Sequence, residues 1–227
     1  EINTWNTSLI TDMSKLFMSW NGFFNNFNDD ISDWDVSNVT TMYQMFYKAI
    51  SFNQPLNDWN VSNVTNMQQM FNDAVNFNQD LSDWNVSSVT TMYMMFLSAL
   101  SFNGDISDWD VSSVVNMDQL FRLADNFNND VSNWDVSSVT NMTYLFYGTP
   151  FNGDVSNWDV SNVTNMNGMF AAANDFNQDL SSWNVSNVIN MHGLFSQTSF
   201  NQDISSWDVS SATDMSGMFQ FTPFNQD

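Results

Sequence analysis

A single motif repeats along the whole chain and constrains the fold more than any other feature of the sequence. Its clearest form runs from Trp34 to Phe46 and reads Trp-Asp-Val-Ser-Asn-Val-Thr-Thr-Met-Tyr-Gln-Met-Phe. Self-similarity at a fixed period of this kind is typical of proteins that stack one supersecondary unit. The sequence therefore predicts a single repeat domain, 1–227, of about nine copies of 24–25 residues. The leading tryptophans are Trp5, Trp34, Trp59, Trp84, Trp109, Trp134, Trp158, Trp183 and Trp207.

An insertion near residues 18–26 interrupts the array. Its aromatic residues, Trp20, Phe23 and Phe24, break the pattern. We interpret them as covering an open end or filling local space, although a binding loop would also fit. The chain begins at Glu1, and its last four residues open a further copy. Because repeat arrays need polar caps and neither end shows one, we expect a fragment of a longer protein.

Two apolar periodicities follow one another within each copy. Alternation around Trp34 and Val36 predicts a short strand, and apolar residues at i, i+3, i+4 and i+7 from Met42 predict a short amphipathic helix. Together they predict a right-handed β/α solenoid, with a parallel β-sheet on the concave face and short helices on the convex face. The predicted core consists of Trp59, Val61, Val64, Met67, Met70, Phe71, Ala74 and Phe77, with their equivalents.

A Phe-Asn pair closes each copy, as at Phe52 and Asn53. We expect the phenylalanine to fill the core at the turn. Stacked asparagines can satisfy backbone groups of neighbouring copies that would otherwise be buried without partners. The pair therefore predicts an asparagine ladder along the array.

The residues also resemble a known family. The pattern Ile31-x-x-Trp34-x-Val36 matches the strand of leucine-rich repeats, and the unit from Asn53 to Phe71 is similar to the BspA-like repeat, also called PARCEL. The resemblance covers essentially all of 1–227. It implies a leucine-rich-repeat-like surface protein of bacteria, protists or large viruses, with a role in adhesion or host interaction. It also implies an extracellular, cell-surface or virion-surface location, and it supplies no catalytic residues.

Charge and composition restrict the possible partners. Three cations, Lys15, Lys48 and Arg122, face 25 acidic residues, which gives a net charge of -22. Such a protein repels nucleic acid and anionic membranes, and no apolar run is long enough to span a bilayer. We therefore expect no nucleic-acid partner and no direct membrane insertion. Because cysteine is absent, disulfides and thiolate metal sites are excluded.

Catalytic chemistry has few candidates in this sequence. The single histidine, His192, occupies a position that is polar in other copies, so we expect a solvated side chain. No Ser/His/Asp or Cys/His constellation can be assembled from a sequence with one solvated histidine and no cysteine. Because the carboxylates recur at the repeat period, we expect them to form a regular array on the surface and not a catalytic pair. We predict that the protein is not an enzyme and has no cofactor-binding residues.

Acidic residues beside the tryptophans supply the one candidate ligand set. The residue before tryptophan is aspartate in the first four regular copies and Asn or Ser in the next four. Stacked at about 4.8 Å, such carboxylates repel one another, and a hard divalent cation with oxygen ligands would neutralise them. A solvated face, in which alternating Asp and Asn limit the repulsion, is the alternative. The predicted weak calcium ligands are Asp33, Asp35, Asp58, Asp83, Asp108 and Asp110.

Two functions of different classes fit these observations. The first is a non-enzymatic binding module that mediates adhesion through a protein or glycan partner. The second is a structural stalk, fibre or coat segment in which the solenoid sets spacing. The columns of residues beside the tryptophans are predicted to lie on the concave face, and they lack the Trp, Tyr and Arg that are enriched in protein hot spots. A third function, ice or crystal binding by a threonine column, is disfavoured because Val115 and Ile189 interrupt that column and indicate a partly buried position.

Overall fold

The computed structural model describes residues 2–19 and 26–226, which form a stack of copies built from reverse turns. In these ranges the one helix is a 3-10 turn, Ile2–Thr4, and isolated parallel bridges take the place of strands. The predicted right-handed β/α solenoid, with its parallel sheet and short helices, is therefore wrong. Trp20, Phe23 and Phe24, the aromatic residues of the predicted insertion, lie outside the described residues.

Reverse turns replace the predicted strand around each tryptophan. The Trp34 amide donates to the Ile31 carbonyl at 3.1 Å, and the Val39 amide donates to the Val36 carbonyl at 2.9 Å. A β-turn brings its first and fourth residues close together. Apolar residues three apart therefore face the same core without extended backbone, which explains why the spacing imitated a strand.

Aspartate and asparagine side chains fix these turns. Asp35 Oδ1 accepts from the Ser37 amide at 3.0 Å and from its hydroxyl at 2.6 Å, and Asp30 Oδ1 accepts from the Ser32 amide at 2.9 Å. An Asx turn of this type imitates a backbone turn and competes with regular secondary structure. The recurring Asp-x-Ser and Asn-x-Ser patterns are thus local turn signals.

The predicted helix is also a chain of turns. In the copy at residues 92–99, the Met95 amide donates to the Met92 carbonyl at 3.0 Å, and the Ala99 amide donates to the Phe96 carbonyl at 3.1 Å. The third residue of each turn has positive φ, as in a type II turn. In the first turn this residue is Met94, with φ 55, and in the second turn it is Ser98, with φ 54. Because left-handed backbone cannot continue a right-handed helix, the helical spacing is realised as successive turns.

Backbone hydrogen bonds between copies stabilise this turn segment, which we define as residues 42–49 and their equivalents. Alternate amides of one copy donate to carbonyls of the next copy, as from Met94 to Asp118 at 2.9 Å and from Ser98 to Arg122 at 2.8 Å. A left-handed residue other than glycine costs roughly 1–2 kcal/mol. An eight-residue helix would have to nucleate on its own, whereas stacking satisfies these amides copy after copy.

The core lies inside the stack and matches the prediction. The predicted Trp59, Phe71 and Phe77 are 2%, 0% and 0% exposed, and the other predicted members of that copy are also buried. In the terminal copies some equivalents are exposed, such as Trp5 at 62% and Met215 at 40%. From Trp34 to Trp207, the indole of each repeat tryptophan donates to a carbonyl of the preceding copy, as Trp109 Nε1 does to the Leu81 carbonyl at 2.9 Å. Tryptophan rings of neighbouring copies stack, with 6.4 Å between the centroids of Trp84 and Trp109. The buried aromatic columns therefore run along the stacking direction.

The predicted asparagine ladder is confirmed. The Asn78 amide donates to Asn53 Oδ1 at 2.9 Å, the Asn103 amide to Asn78 Oδ1 at 2.8 Å, and the Asn128 amide to Asn103 Oδ1 at 3.0 Å. Each side chain thus satisfies a backbone donor of the following copy. Among residues 2–19 and 26–226, no helix has the length and apolar character needed to cross a membrane.

Candidate binding face

The aspartates of the predicted calcium set are exposed, and several of them already have protein partners. Asp83 Oδ2 accepts from Asn57 Nδ2 at 2.7 Å, and the Asp83 amide donates to Asn57 Oδ1 at 2.9 Å. Asp33 forms the same paired arrangement with Asn3. These aspartates therefore connect one copy to the preceding copy.

Two other aspartates of the predicted calcium set accept hydrogen bonds from neighbouring serines. Asp110 Oδ1 accepts from the Ser112 hydroxyl at 2.6 Å, and the Ser37 hydroxyl and amide lower the pKa of Asp35 below its ordinary value of 3.8. Asp58 and Asp108 are exposed. Within the described ranges, no three His, Cys, Asp or Glu side chains converge as a metal-binding group. Weak calcium binding along these columns stays a prediction.

The threonine column is exposed, so its interpretation as a partly buried position is wrong. Its two interrupting residues, Val115 and Ile189, are 46% and 49% exposed. Thr65 Oγ1 donates to the Thr40 carbonyl of the preceding copy at 3.2 Å. The hydroxyl donors of this column therefore serve the stack itself.

The outward side of the turn segment has a different composition from the rest of the surface. We define this turn face as the positions of Tyr43, Gln44, Tyr47 and Lys48 with their equivalents. It holds all five tyrosines, all three cations and the single histidine, but only Asp73 and Asp118 of the 25 acids. The turn face is therefore close to neutral on a protein with net charge -22. Its distinctive residues are Lys15, Tyr43, Tyr47, Lys48, Tyr93, Arg122, Tyr144, Tyr147 and His192.

Arg122 is the centre of an aromatic cluster on the turn face. Its guanidinium carbon lies 5.2 Å from the Tyr144 ring centroid and 5.3 Å from the Tyr147 centroid. The two rings meet edge to face at 5.4 Å and 85°, and Arg122 Nη1 donates to Gln119 Oε1 at 2.6 Å. Cation–π contacts of this length are attractive, so they hold the three large side chains in one arrangement.

Both lysines also lie over tyrosine rings. Lys15 Nζ is 5.4 Å from the Tyr43 centroid, and Lys48 Nζ is 5.1 Å from the Tyr47 centroid. Next to Lys48, burial raises the pKa of Asp73, and the lysine charge opposes that shift. The basic groups are therefore distributed along the face as aromatic-stacked cations.

Partial burial also affects the acid beside Arg122. Burial raises the pKa of Asp118, while hydrogen bonding by Gln119 and the charge of Arg122 oppose the shift. Burial and the neighbouring Asp118 raise the pKa of Tyr93. Desolvation of this kind disfavours the charged form of an acid, and it arises because Asp118 Oδ1 is buried in the middle of the turn face.

We call the residues equivalent to Gln44 in the successive copies the Gln44 column. A shallow groove of about 150 Å³ opens at the copies in which this column no longer carries a side chain. In earlier copies this column is filled, and Gln44 Nε2 donates to Gln69 Oε1. In the last three copies glycine takes the position, and a Cβ on Gly168 would overlap the Tyr144 ring. The ring therefore closes one end of the groove. Polar and aromatic lining residues include Tyr144, Tyr147, Asn167, His192, Ser196 and Gln197.

His192 takes part in a hydrogen-bonded chain at this groove. Its Nδ1 lies 2.7 Å from Ser216 Oγ, and Ser216 Oγ donates to Asp214 Oδ1 at 2.6 Å. A catalytic triad needs histidine between the hydroxyl and the carboxylate. Here serine occupies the middle and donates its proton to the acid, so the arrangement orients His192 and does not activate a nucleophile.

Sequence reasoning missed the turn face because it searched the columns beside tryptophan. All five tyrosines and Arg122 lie within the segment predicted to be helical, outside its apolar stripe, and these positions differ from copy to copy. Tyr and Arg are enriched in protein hot spots. Their concentration at the variable positions of an otherwise regular repeat was the available signal.

Comparison with known proteins gives one result. The model of the family described as "Mycoplasma protein of unknown function, DUF285" matches residues 1–103, 78–150 and 134–227. No curated protein and no solved structure matches the chain. The resemblance to the BspA-like or PARCEL family is therefore corrected, because the matching family model is a different one. Since the three matches together span the sequence, the chain belongs to the DUF285 family of repeat proteins.

Proposed function

We propose that this chain is a non-enzymatic binding module on a cell surface or outside the cell, and that it attaches to a protein or glycan partner through the turn face. The observation that supports the proposal is the concentration of tyrosine and arginine on one side of a regular stack. These side chains combine large contact area with hydrogen-bonding ends. Their cation–π contacts hold them in place before a partner arrives, which lowers the entropy lost on binding.

The distribution of charge supports the same face. Nearly all carboxylates lie away from the turn segment, and many of them accept hydrogen bonds from serine within Asx turns, as in Asp35 and Asp110. Those groups contribute to turn formation. In the turn segment, in contrast, backbone hydrogen bonds already join the copies. The turn-face side chains can therefore differ from copy to copy and serve recognition.

A binding assay with repeat-matched variants tests the proposal. The turn-face variant combines Arg122→Gln, Tyr144→Gln and Tyr147→Ala, and each new residue already occupies the same column in another copy. Labelled protein is applied to immobilised extracellular-matrix proteins, neutral glycans and anionic glycans at physiological salt. We expect the parent chain to bind at least one of these surfaces and the variant to bind roughly tenfold or more weakly.

The matched control changes the acidic columns. It carries Asp33→Asn, Asp58→Asn, Asp83→Asn and Asp108→Asn, because asparagine takes this position in two later copies. We expect this variant to bind like the parent. Binding that follows the acidic columns, or equal binding by parent and turn-face variant, would refute the turn face as the attachment site.

A structural spacer is the second candidate, and the unbroken ladders favour it. Asparagine and tryptophan contacts recur in copy after copy, so the stack has the regularity that a stalk or coat segment needs. This function predicts no binding to any of the surfaces, together with regular incorporation into a filament or coat in electron micrographs of the source.

A further inference from the structure

The groove at the end of the Gln44 column has the dimensions and lining of a small ligand site. Its volume of about 150 Å³ is below the roughly 300–1,000 Å³ of sites for drug-sized ligands. It therefore fits one small ring or one unit of a larger chain. Two tyrosines form an aromatic wall, and glycine backbone forms part of the floor.

Uncharged hydrogen-bonding groups surround this space. Asn167, Ser196, Gln197 and Gln220 line it with amides and a hydroxyl, and His192 is the one titratable imidazole. Arg122 is engaged with Gln119 and the two tyrosine rings and is absent from the lining. Without a lining cation, and on a chain of net charge -22, an anionic ligand would be repelled.

Asn167 gives a second, independent sign of a ligand. It lines the groove, and its side-chain Oδ1 is buried and accepts no hydrogen bond within the described parts of the chain. Buried polar groups are normally paired, because an unpaired one loses the hydrogen bonds that water would supply. A bound hydroxyl or amide would provide the missing partner.

We propose that this groove binds one pyranose unit of a neutral glycan. A pyranose has an apolar C–H face that can pack on a tyrosine ring and a rim of hydroxyls that can donate to and accept from amides. The proposal rests on the proposed function and specifies the ligand for this part of the turn face. Since the site is shallow, a single sugar should bind with a Kd on the order of 1 mM.

Ligand-observed saturation-transfer NMR tests this inference with a defined panel. The probes are the methyl pyranosides of glucose, galactose, mannose, N-acetylglucosamine and N-acetylgalactosamine, with N-acetylneuraminic acid as the anionic arm. We expect transfer to at least one neutral pyranoside and none to the anionic sugar. Absence of transfer to every neutral probe, or transfer only to the anionic sugar, would overturn the proposal.

Gly193→Gln is the decisive variant. Glutamine occupies the same column at Gln44, Gln69 and Gln119 with φ of 55 to 58, and Gly193 has φ 58. The substitution therefore fills the groove with a residue that this backbone already accommodates. We expect loss of the neutral-sugar signal and a fall in melting temperature of roughly 2–4 °C.

Two further variants separate groove filling from misfolding. Ser196→Ala introduces the residue found at Ala171 in the same column, and it should weaken binding roughly 2- to 10-fold. Asn187→Ser lies outside the groove, matches the serine of other copies, and should leave the signal unchanged. Sugar binding that survives both groove variants would contradict the assignment.

The outcomes also separate this inference from the proposed function. If no sugar binds while the triple turn-face variant still loses attachment to an immobilised protein, the glycan assignment fails and the turn face stands. If a neutral sugar binds and the triple variant attaches like the parent, the groove is a sugar site and the wider turn face has no role in attachment.

Discussion

The two sides of each copy are joined to their neighbours by different means. Around tryptophan, contacts between copies come mainly from side chains, such as Trp109 Nε1 to the Leu81 carbonyl and Asn63 Nδ2 to the Ser37 carbonyl. In the turn segment the contacts come from alternate backbone amides. Side chains that hold the stack must recur in every copy. Where the backbone does this, outward side chains can vary, and all five tyrosines and all three cations lie there.

Removing a tryptophan should produce the largest effect. In Trp109→Ala, a buried aromatic ring is lost and the Leu81 carbonyl loses its donor, so the free energy of unfolding should fall by about 3–5 kcal/mol. The triple turn-face variant should change it much less, because the turn backbone is retained. Urea unfolding measures both; equal destabilisation by the two would contradict the division between the sides.

Breaking the asparagine ladder should have an intermediate effect. In Asn103→Ala, the Asn128 amide loses its acceptor at an exposed site. Because water can reach this amide, the loss should be the net value of one hydrogen bond, roughly 0.5–1.5 kcal/mol. Asn103→Asp keeps an acceptor oxygen at this position and serves as the control. A loss as large in the aspartate variant as in the alanine variant would show that the accepted hydrogen bond is not the cause.

Relief of backbone strain in the turn segment should have a smaller effect on stability. Ala172 has φ 58, and glycine takes the equivalent position at Gly148 with φ 70. Ala172→Gly should therefore raise the free energy of unfolding by up to about 1 kcal/mol, because it relieves left-handed strain. Ala173→Gly, at a buried neighbouring position, is the control and should destabilise. A drop in stability for Ala172→Gly would argue against strained turns.

Acidic pH should change stability in two opposing steps. Burial raises the pKa of Asp73 and Asp118, so their ionised forms destabilise the fold, and this cost disappears as pH falls through their folded pKa values. Relief of charge repulsion acts in the same direction. Aspartates paired with serine, such as Asp35 and Asp208, have lowered pKa values. Their stabilisation is present above 3.8 and is lost as pH falls through their folded values.

Urea midpoints between pH 7 and pH 2 should therefore rise to a maximum at roughly pH 4–5 and then fall. Asp118→Asn should reduce the rise, since its side chain is neutral at every pH. A midpoint that decreases steadily from pH 7 would show that the ionised forms of Asp73 and Asp118 do not destabilise the fold.

Sequence reasoning predicted the repeat, the core and the asparagine ladder, because period and apolar spacing determine which residues face inward. It could not distinguish a helix from consecutive turns at Met92 and Phe96, since both place residues three or four apart on one side. The deciding feature, positive φ at Met94 and Ser98, occurs mostly in residues other than glycine. Its one mark in the sequence is the glycine that takes these two columns in later copies, at Gly148, Gly168, Gly193 and Gly217. The calcium set was chosen by charge, whereas turn formation already uses Asp35 and Asp110.

Chemical footprinting of the bound protein tests the central claim most directly. Every tyrosine lies on the turn face and most aspartates lie elsewhere, so tyrosine nitration reports on the one side and carbodiimide labelling of aspartates on the other. Labelling is compared with and without the immobilised surface that binds best in the array. We predict slower nitration of Tyr144 and Tyr147 with unchanged labelling of Asp58 and Asp108. Protection of those aspartates with undiminished nitration would contradict recognition by the turn face.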